Sequence, residues 1–73
     1  MKVKVGDIVI VRSRFTGKER PALVSYITPR KTIGLQFRRG GYLTRSRRFN
    51  ELRQELVRRA SITEAAEFRG ALR

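Results

Sequence analysis

The chain reads as an α+β protein: a small antiparallel sheet of about four strands, followed by a C-terminal helix and a loose tail. Short β-branched or alternating runs, punctuated by glycine and proline turns, occupy residues 2–45. The apolar period then lengthens to a helical one over residues 47–60. With 73 residues and no cysteine, the chain has room for one thin core and no disulfide frame to reinforce it.

Lys2 and Lys4 alternate with Val3 and Val5, the pattern of an edge strand with one charged face. Val5-Gly6-Asp7 suits a tight turn, and Ile8-Val9-Ile10-Val11 follows as an unbroken β-branched run. Both faces of that run are apolar, which predicts a central or curled strand. Arg14 to Lys18 form a loop around Thr16-Gly17. Pro21 opens a second strand, Ala22 to Ile27, where its missing N–H does least harm. Thr28-Pro29-Arg30-Lys31 is a turn. From Thr32 to Phe37 the pattern alternates, with Ile33, Leu35 and Phe37 on one face and Thr32, Gly34 and Gln36 on the other. Gly40-Gly41 supplies the positive φ angles of a hairpin into Tyr42-Leu43-Thr44. After Ser46, a plausible N-cap, the residues Phe49, Leu52, Leu56 and Ala60, with Val57 beside them, predict a core-facing helix over about 47–60. Arg58 and Arg59 would suit its C-terminal dipole, and Glu55 would pair with Arg59 one turn on. Ser61-Ile62-Thr63-Glu64 forms a capping box that opens a second helical segment through Ala65, Ala66 and Phe68, weakened at Gly70 and frayed beyond it. Residues 1–60 are thus one small domain, and 61–73 a short helical or flexible tail. The pattern fits either a curled sheet or an SH3-like barrel.

Charge carries the functional signal. Lys and Arg number 18 against 6 acids, for a net charge of +12, and fourteen of the cations are arginine. From Ile8 to Asn50 eleven cations meet a single acid, Glu19, whereas Glu51 to Arg73 is almost neutral. Such asymmetry opposes folding through self-repulsion and concentrates positive potential, which points to an anionic partner. Arginine favours forked contacts to phosphate or carboxylate over diffuse attraction. Five arginines flank the glycine hairpin without an intervening acid: Arg38, Arg39, Arg45, Arg47 and Arg48, with Tyr42 among them to stack on a base or fill a partner's pocket. One or two lysines would suffice to protect an edge strand from aggregation. Arg12 and Arg14 beside Phe15 form a lesser candidate, which Arg30 and Lys31 would extend.

Catalysis finds little support. The chain has no histidine, no cysteine and no carboxylate pair at a workable spacing, and Glu51, Glu55, Glu64 and Glu67 sit at helical surface spacings. P-loop and dinucleotide fingerprints are absent, so no cofactor or metal is expected. No apolar run reaches the roughly 20 residues of a membrane span. Met1 to Asp7 has no apolar signal segment behind its lysines, so a cytosolic location is expected.

Two resemblances add to this reading. Gly6-Asp7-Ile8-Val9 with Arg20-Pro21-Ala22-Leu23-Val24-Ser25 resembles the opening strands of the MazF-like ribonuclease toxins. Those are SH3-like barrels, and Arg20 stands where their RNA-cleaving arginine stands. The match covers about a quarter of the chain, lacks the later segments and the family's threonine, and supports the barrel more than the activity. The whole chain is similar to small basic phage transcription regulators. The resemblance lies in its length, the Lys2-Val3-Lys4-Val5-Gly6-Asp7 start, Arg38-Arg39-Gly40-Gly41-Tyr42 and the arginine-rich stretch after it. That resemblance, to the Xanthomonas phage inhibitor and antiterminator group, implies a non-enzymatic regulator. Its partner would be the large subunits of host bacterial RNA polymerase, with nascent RNA or promoter DNA nearby. It implies inhibition of initiation and read-through of terminators. The alternatives are an SH3-like nucleic-acid-binding module and, more distantly, a ribonuclease. Self-repulsion at this charge predicts a monomer.

Overall fold

The computed structural model describes residues 2–49 and 54–70. In it β1 (Ile8–Ser13), β2 (Glu19–Ile27), β3 (Ile33–Gln36), β6 (Arg47–Arg48) and β7 (Gln54–Arg59) form one antiparallel sheet in the order β6-β3-β2-β1-β7. A separate two-stranded ribbon pairs β4 (Arg38–Arg39) with β5 (Tyr42–Leu43), and α1 (Ile62–Gly70) closes the described chain. The α+β class with a C-terminal helix therefore holds. Among the described residues β6 and β7 do not pair, so the sheet is open and the closed-barrel alternative falls away.

The β-branched run behaves as its two apolar faces require. Ile8, Val9, Ile10 and Val11 are all buried, because β1 lies between β2 and β7. Register then fixes one core face. Val9 lies opposite Ala22, and Val24 opposite Leu35, so these side chains meet on a single side with Phe37. Val3, Ile33, Phe49 and Leu56 cover its margin. Bulges between Ile10 and Val11 and between Val24 and Tyr26 bend the sheet around this cluster. Lys2 to Val5 are not a strand; Val3 instead packs on the core and the Lys2 carbonyl accepts from the Arg59 guanidinium.

The turns follow local chemistry. Asp7 Oδ2 accepts from the Lys4 N–H at 2.8 Å, and the Lys4 carbonyl accepts from the Asp7 N–H at 3.0 Å, closing the turn at Gly6. Gly40 and Gly41 take φ of 56° and 85°, the left-handed pair that a two-residue hairpin demands.

Gly34 is needed for space instead. The ring of its cross-strand partner Tyr26 lies where a Cβ would be. Elsewhere in a strand alanine would be favoured over glycine by roughly 0.5–1 kcal/mol. Here displacement of the ring outweighs that, and Gly34→Ala is expected to destabilise by about 1–3 kcal/mol. Urea midpoints of Gly34→Ala with and without Tyr26→Ala check this, because removal of the ring must erase the penalty.

The helix predicted over 47–60 does not form in the described part of that stretch. Arg47–Arg48 is strand β6, and Gln54–Arg59 is strand β7, paired with β1 from Val9↔Arg59 to Ser13↔Gln54. Residues 50–53 of the predicted helix, including Glu51 and Leu52, lie outside the described residues. The reason is tertiary: β1 needs a second neighbour for its backbone groups, and Gln54 and Leu56, two residues apart, share one strand face. Ser46 accordingly caps nothing; its hydroxyl donates to Ser25 Oγ at 2.8 Å. Glu55 lies toward Arg12 at 4.0 Å, and Arg59 toward Asp7 at 3.9 Å, in place of the predicted pair.

The capping box stands where its sequence placed it. Ser61 N–H donates to Glu64 Oε1 at 2.9 Å, and Glu64 N–H to Ser61 Oγ at 3.2 Å. Far from hanging loose, α1 folds back on the sheet: Phe68 is 3% exposed, and Arg69 donates to the Gly6 carbonyl at 2.9 Å. Arg58 clamps the helix start through two hydrogen bonds to Glu64, at 2.6 and 3.0 Å. These bonds, then those from Ser61, push the Glu64 carboxyl down to about 2 from its ordinary 4.5. A carboxyl depressed in the folded state contributes stability above its unfolded value and loses it as pH falls through the folded one. Protection of the α1 amides against hydrogen exchange is therefore expected to fall between about pH 4.5 and about pH 2. In Glu64→Gln that pH step disappears.

Candidate functional site

Strand alternation divides the arginines that cluster in sequence. Neighbouring residues of a strand point to opposite faces, so each Arg-Arg pair is split. Arg47 stands opposite Leu35 of the core face, and Arg48 opposite Gly34 of the other. In the ribbon, Arg39 reaches toward the sheet, while Arg38 turns to the helix. One more cation joins them. Arg20 lies opposite Val11 and continues the Ala22 and Val24 row, so its side chain leaves the core face at the mouth of the sheet.

The result is a hollow of about 330 Å3 walled by Arg20, Arg39, Arg45 and Arg47. Leu35 and Phe37 form its floor, and Thr44 lies at its side. The Arg20 guanidinium stacks over the Phe37 ring at 3.8 Å from the centroid, and Phe37 is only 6% exposed, so the ring serves as an anvil for the cation. Thr44 Oγ1 accepts from the Phe37 N–H at 2.8 Å, and the Thr44 N–H donates to the Phe37 carbonyl at 2.7 Å. This fixes the ribbon against β3 and leaves the Thr44 hydroxyl proton to donate elsewhere.

Among the described residues no carboxylate lines the hollow. The ion pairs among the described residues lie apart from it: Arg12 with Glu19 and Glu55, Arg58 with Glu64, and Arg59 with Asp7. Four guanidiniums thus share one concavity without a described counter-ion. The electrostatic consequence shows at Arg20, whose pKa is lowered by partial burial and then by the nearby charge of Arg39. An arriving anion relieves this repulsion.

The other residues expected in the patch have separate places. Arg38 holds the helix: Nη1 donates to the Phe68 carbonyl at 3.4 Å, near the negative end of α1, and its guanidinium lies 5.9 Å from the Phe68 ring centroid. Arg48 joins Arg30, Thr28, Pro29 and Thr32 around a different hollow. Arg12 is held by its two glutamates. Arg14 is exposed in the β1–β2 turn beside exposed Phe15, and Tyr42 at the ribbon tip is 79% exposed.

Order along the chain places Arg20 in a toxin-like motif and Phe37 in the core, without joining either to the patch. The signal was present: Arg20, Ala22 and Val24 alternate, as do Ile33, Leu35 and Phe37, and pairing the two rows sets the cation against the ring.

No helix of the described residues is long and apolar enough to cross a membrane. No protein-family model, curated protein or solved structure matches the chain.

Proposed function

We propose that this chain is a non-enzymatic, phage-type regulator. It acts as a monomer in the host cytoplasm and docks on the large subunits of bacterial RNA polymerase. Docking blocks initiation and promotes read-through of terminators. The observation that carries the docking step is the hollow of Arg20, Arg39, Arg45 and Arg47, whose charge no described carboxylate neutralises. Its charge suits an acidic surface, because clustered guanidiniums steer a negatively charged partner toward them. The resemblance to small basic phage regulators supplies the identity of the partner. The same uncompensated charge repels a second copy.

Affinity capture tests the reading. The tagged chain is incubated with a nuclease-treated bacterial lysate, and polymerase subunits are expected to be retained after the nucleic acid is gone. A lysate from which no polymerase is retained overturns the proposal.

A further inference from the structure

We infer that the arginine hollow is also a binding site for single-stranded nucleic acid, which seats one base on the Arg20 guanidinium and the neighbouring phosphates on Arg39, Arg45 and Arg47. The inference goes beyond docking on a protein surface and does not depend on the polymerase being the partner.

Charge alone would draw any polyanion, so the argument rests on shape and stacking. The Arg20 guanidinium carbon sits over the Phe37 ring, 3.8 Å from its centroid and within contact distance of it. One face of the guanidinium is thereby occupied by the ring and the cation is held in place, while Arg20 itself is exposed at the wall of the hollow. A flat, immobilised guanidinium is a surface on which unstacked bases settle. A lone carboxylate would use its edge and leave the face idle.

The walls fit the rest of such a strand. Arg39, Arg45 and Arg47 come from three segments, the ribbon strand β4, the connection after β5, and β6, and they ring the platform. A side-chain carboxylate brings one charge and two acceptor oxygens. Three further guanidiniums exceed what it can satisfy, whereas consecutive phosphodiesters present a charge at every step. Thr44 adds a neutral hydroxyl donor at the same wall. The four arginines of the hollow are all exposed, so an extended strand can enter and leave it. Basic groove and stacking platform together are the recurrent design of single-strand binding.

The test uses the full chain and two labelled probes of equal length and charge, an oligothymidylate and its abasic counterpart, read by fluorescence anisotropy over a series of salt concentrations. The base-bearing strand is expected to bind at least about tenfold tighter than the abasic one. Arg20→Lys keeps the charge and is expected to abolish that preference. Arg39→Ala, Arg45→Ala and Arg47→Ala should each flatten the plot of log affinity against log salt by about 0.7. Arg12→Ala, outside the hollow, should change the slope by much less.

Equal binding of the two probes overturns the inference, as does a base preference that survives Arg20→Lys or an equal slope change in Arg12→Ala. An oligoglutamate that displaces the base-bearing and the abasic strand at the same concentration also overturns it, because charge alone would then account for the binding. Should Arg20→Lys fail to fold by circular dichroism, the probe comparison and the three alanine variants decide alone. Polymerase capture is read in a separate assay, so failure here is distinct from failure of the docking proposal.

Discussion

Leu35→Ala is expected to abolish cooperative folding at 25 °C, or to leave a chain that unfolds at the lowest urea concentrations. Among the described residues Leu35 is the largest side chain with no exposed surface, and from β3 it joins the core cluster with Val24 while forming part of the floor of the arginine hollow. Truncating a buried leucine typically costs about 2–5 kcal/mol, transfer and cavity together. A chain of this size has roughly 3–5 kcal/mol from its core in total. Relaxation is hindered because the space left would be bordered by Val24 and Phe37, already fixed by strand pairing and by the Thr44 bonds. Leu35→Met, which conserves volume, is expected to lose less than about 1.5 kcal/mol. Urea titrations followed by circular dichroism compare the two. A Leu35→Ala midpoint close to that of the parent, with unchanged slope, would show that the core lies elsewhere.

That core was legible because its pattern has only one solution. Four consecutive β-branched residues demand a strand covered on both faces, and alternation from Ile33 to Phe37 names the side that meets it. Gly40-Gly41 and Ser61 to Glu64 were equally plain, since each local motif satisfies its own backbone groups.

The stretch around Gln54 to Arg59 was misread for the complementary reason. Gln, Glu, Leu and Arg all favour helix, and Leu56 with Ala60 repeats at helical spacing, so local preference had no opponent in the sequence itself. Its opponent is the bare edge of β1, some 45 residues earlier in the chain. The arginine patch failed in a related way. Arg38-Arg39 and Arg47-Arg48 are pairs along the chain, but a strand sends partners to opposite faces, and the site keeps one from each pair. Arg20 enters only once β2 and β3 are set in register.

This division makes the strongest prediction about partners specific to place. Simultaneous Arg39→Glu, Arg45→Glu and Arg47→Glu substitutions are expected to weaken polymerase capture by at least about 100-fold, because like charges brought face to face cost several kcal/mol. The fold should survive: Arg39, Arg45 and Arg47 are exposed, and none is among the ion pairs of the described residues. Reversal at exposed positions typically changes stability by about 0.5 kcal/mol or less, and here it also removes repulsion with Arg20. The matched control is Arg14→Glu, Arg30→Glu and Arg48→Glu, which changes net charge by the same amount away from the hollow. Retained polymerase, quantified from a nuclease-treated lysate, should stay within a few-fold of the parent for the control. Arg38 is left intact in both sets, since it tethers α1 through Phe68 and its loss would confuse unfolding with lost docking. Equal losses in the two triple variants would mean that overall charge, and not the four-arginine concavity, attracts the enzyme.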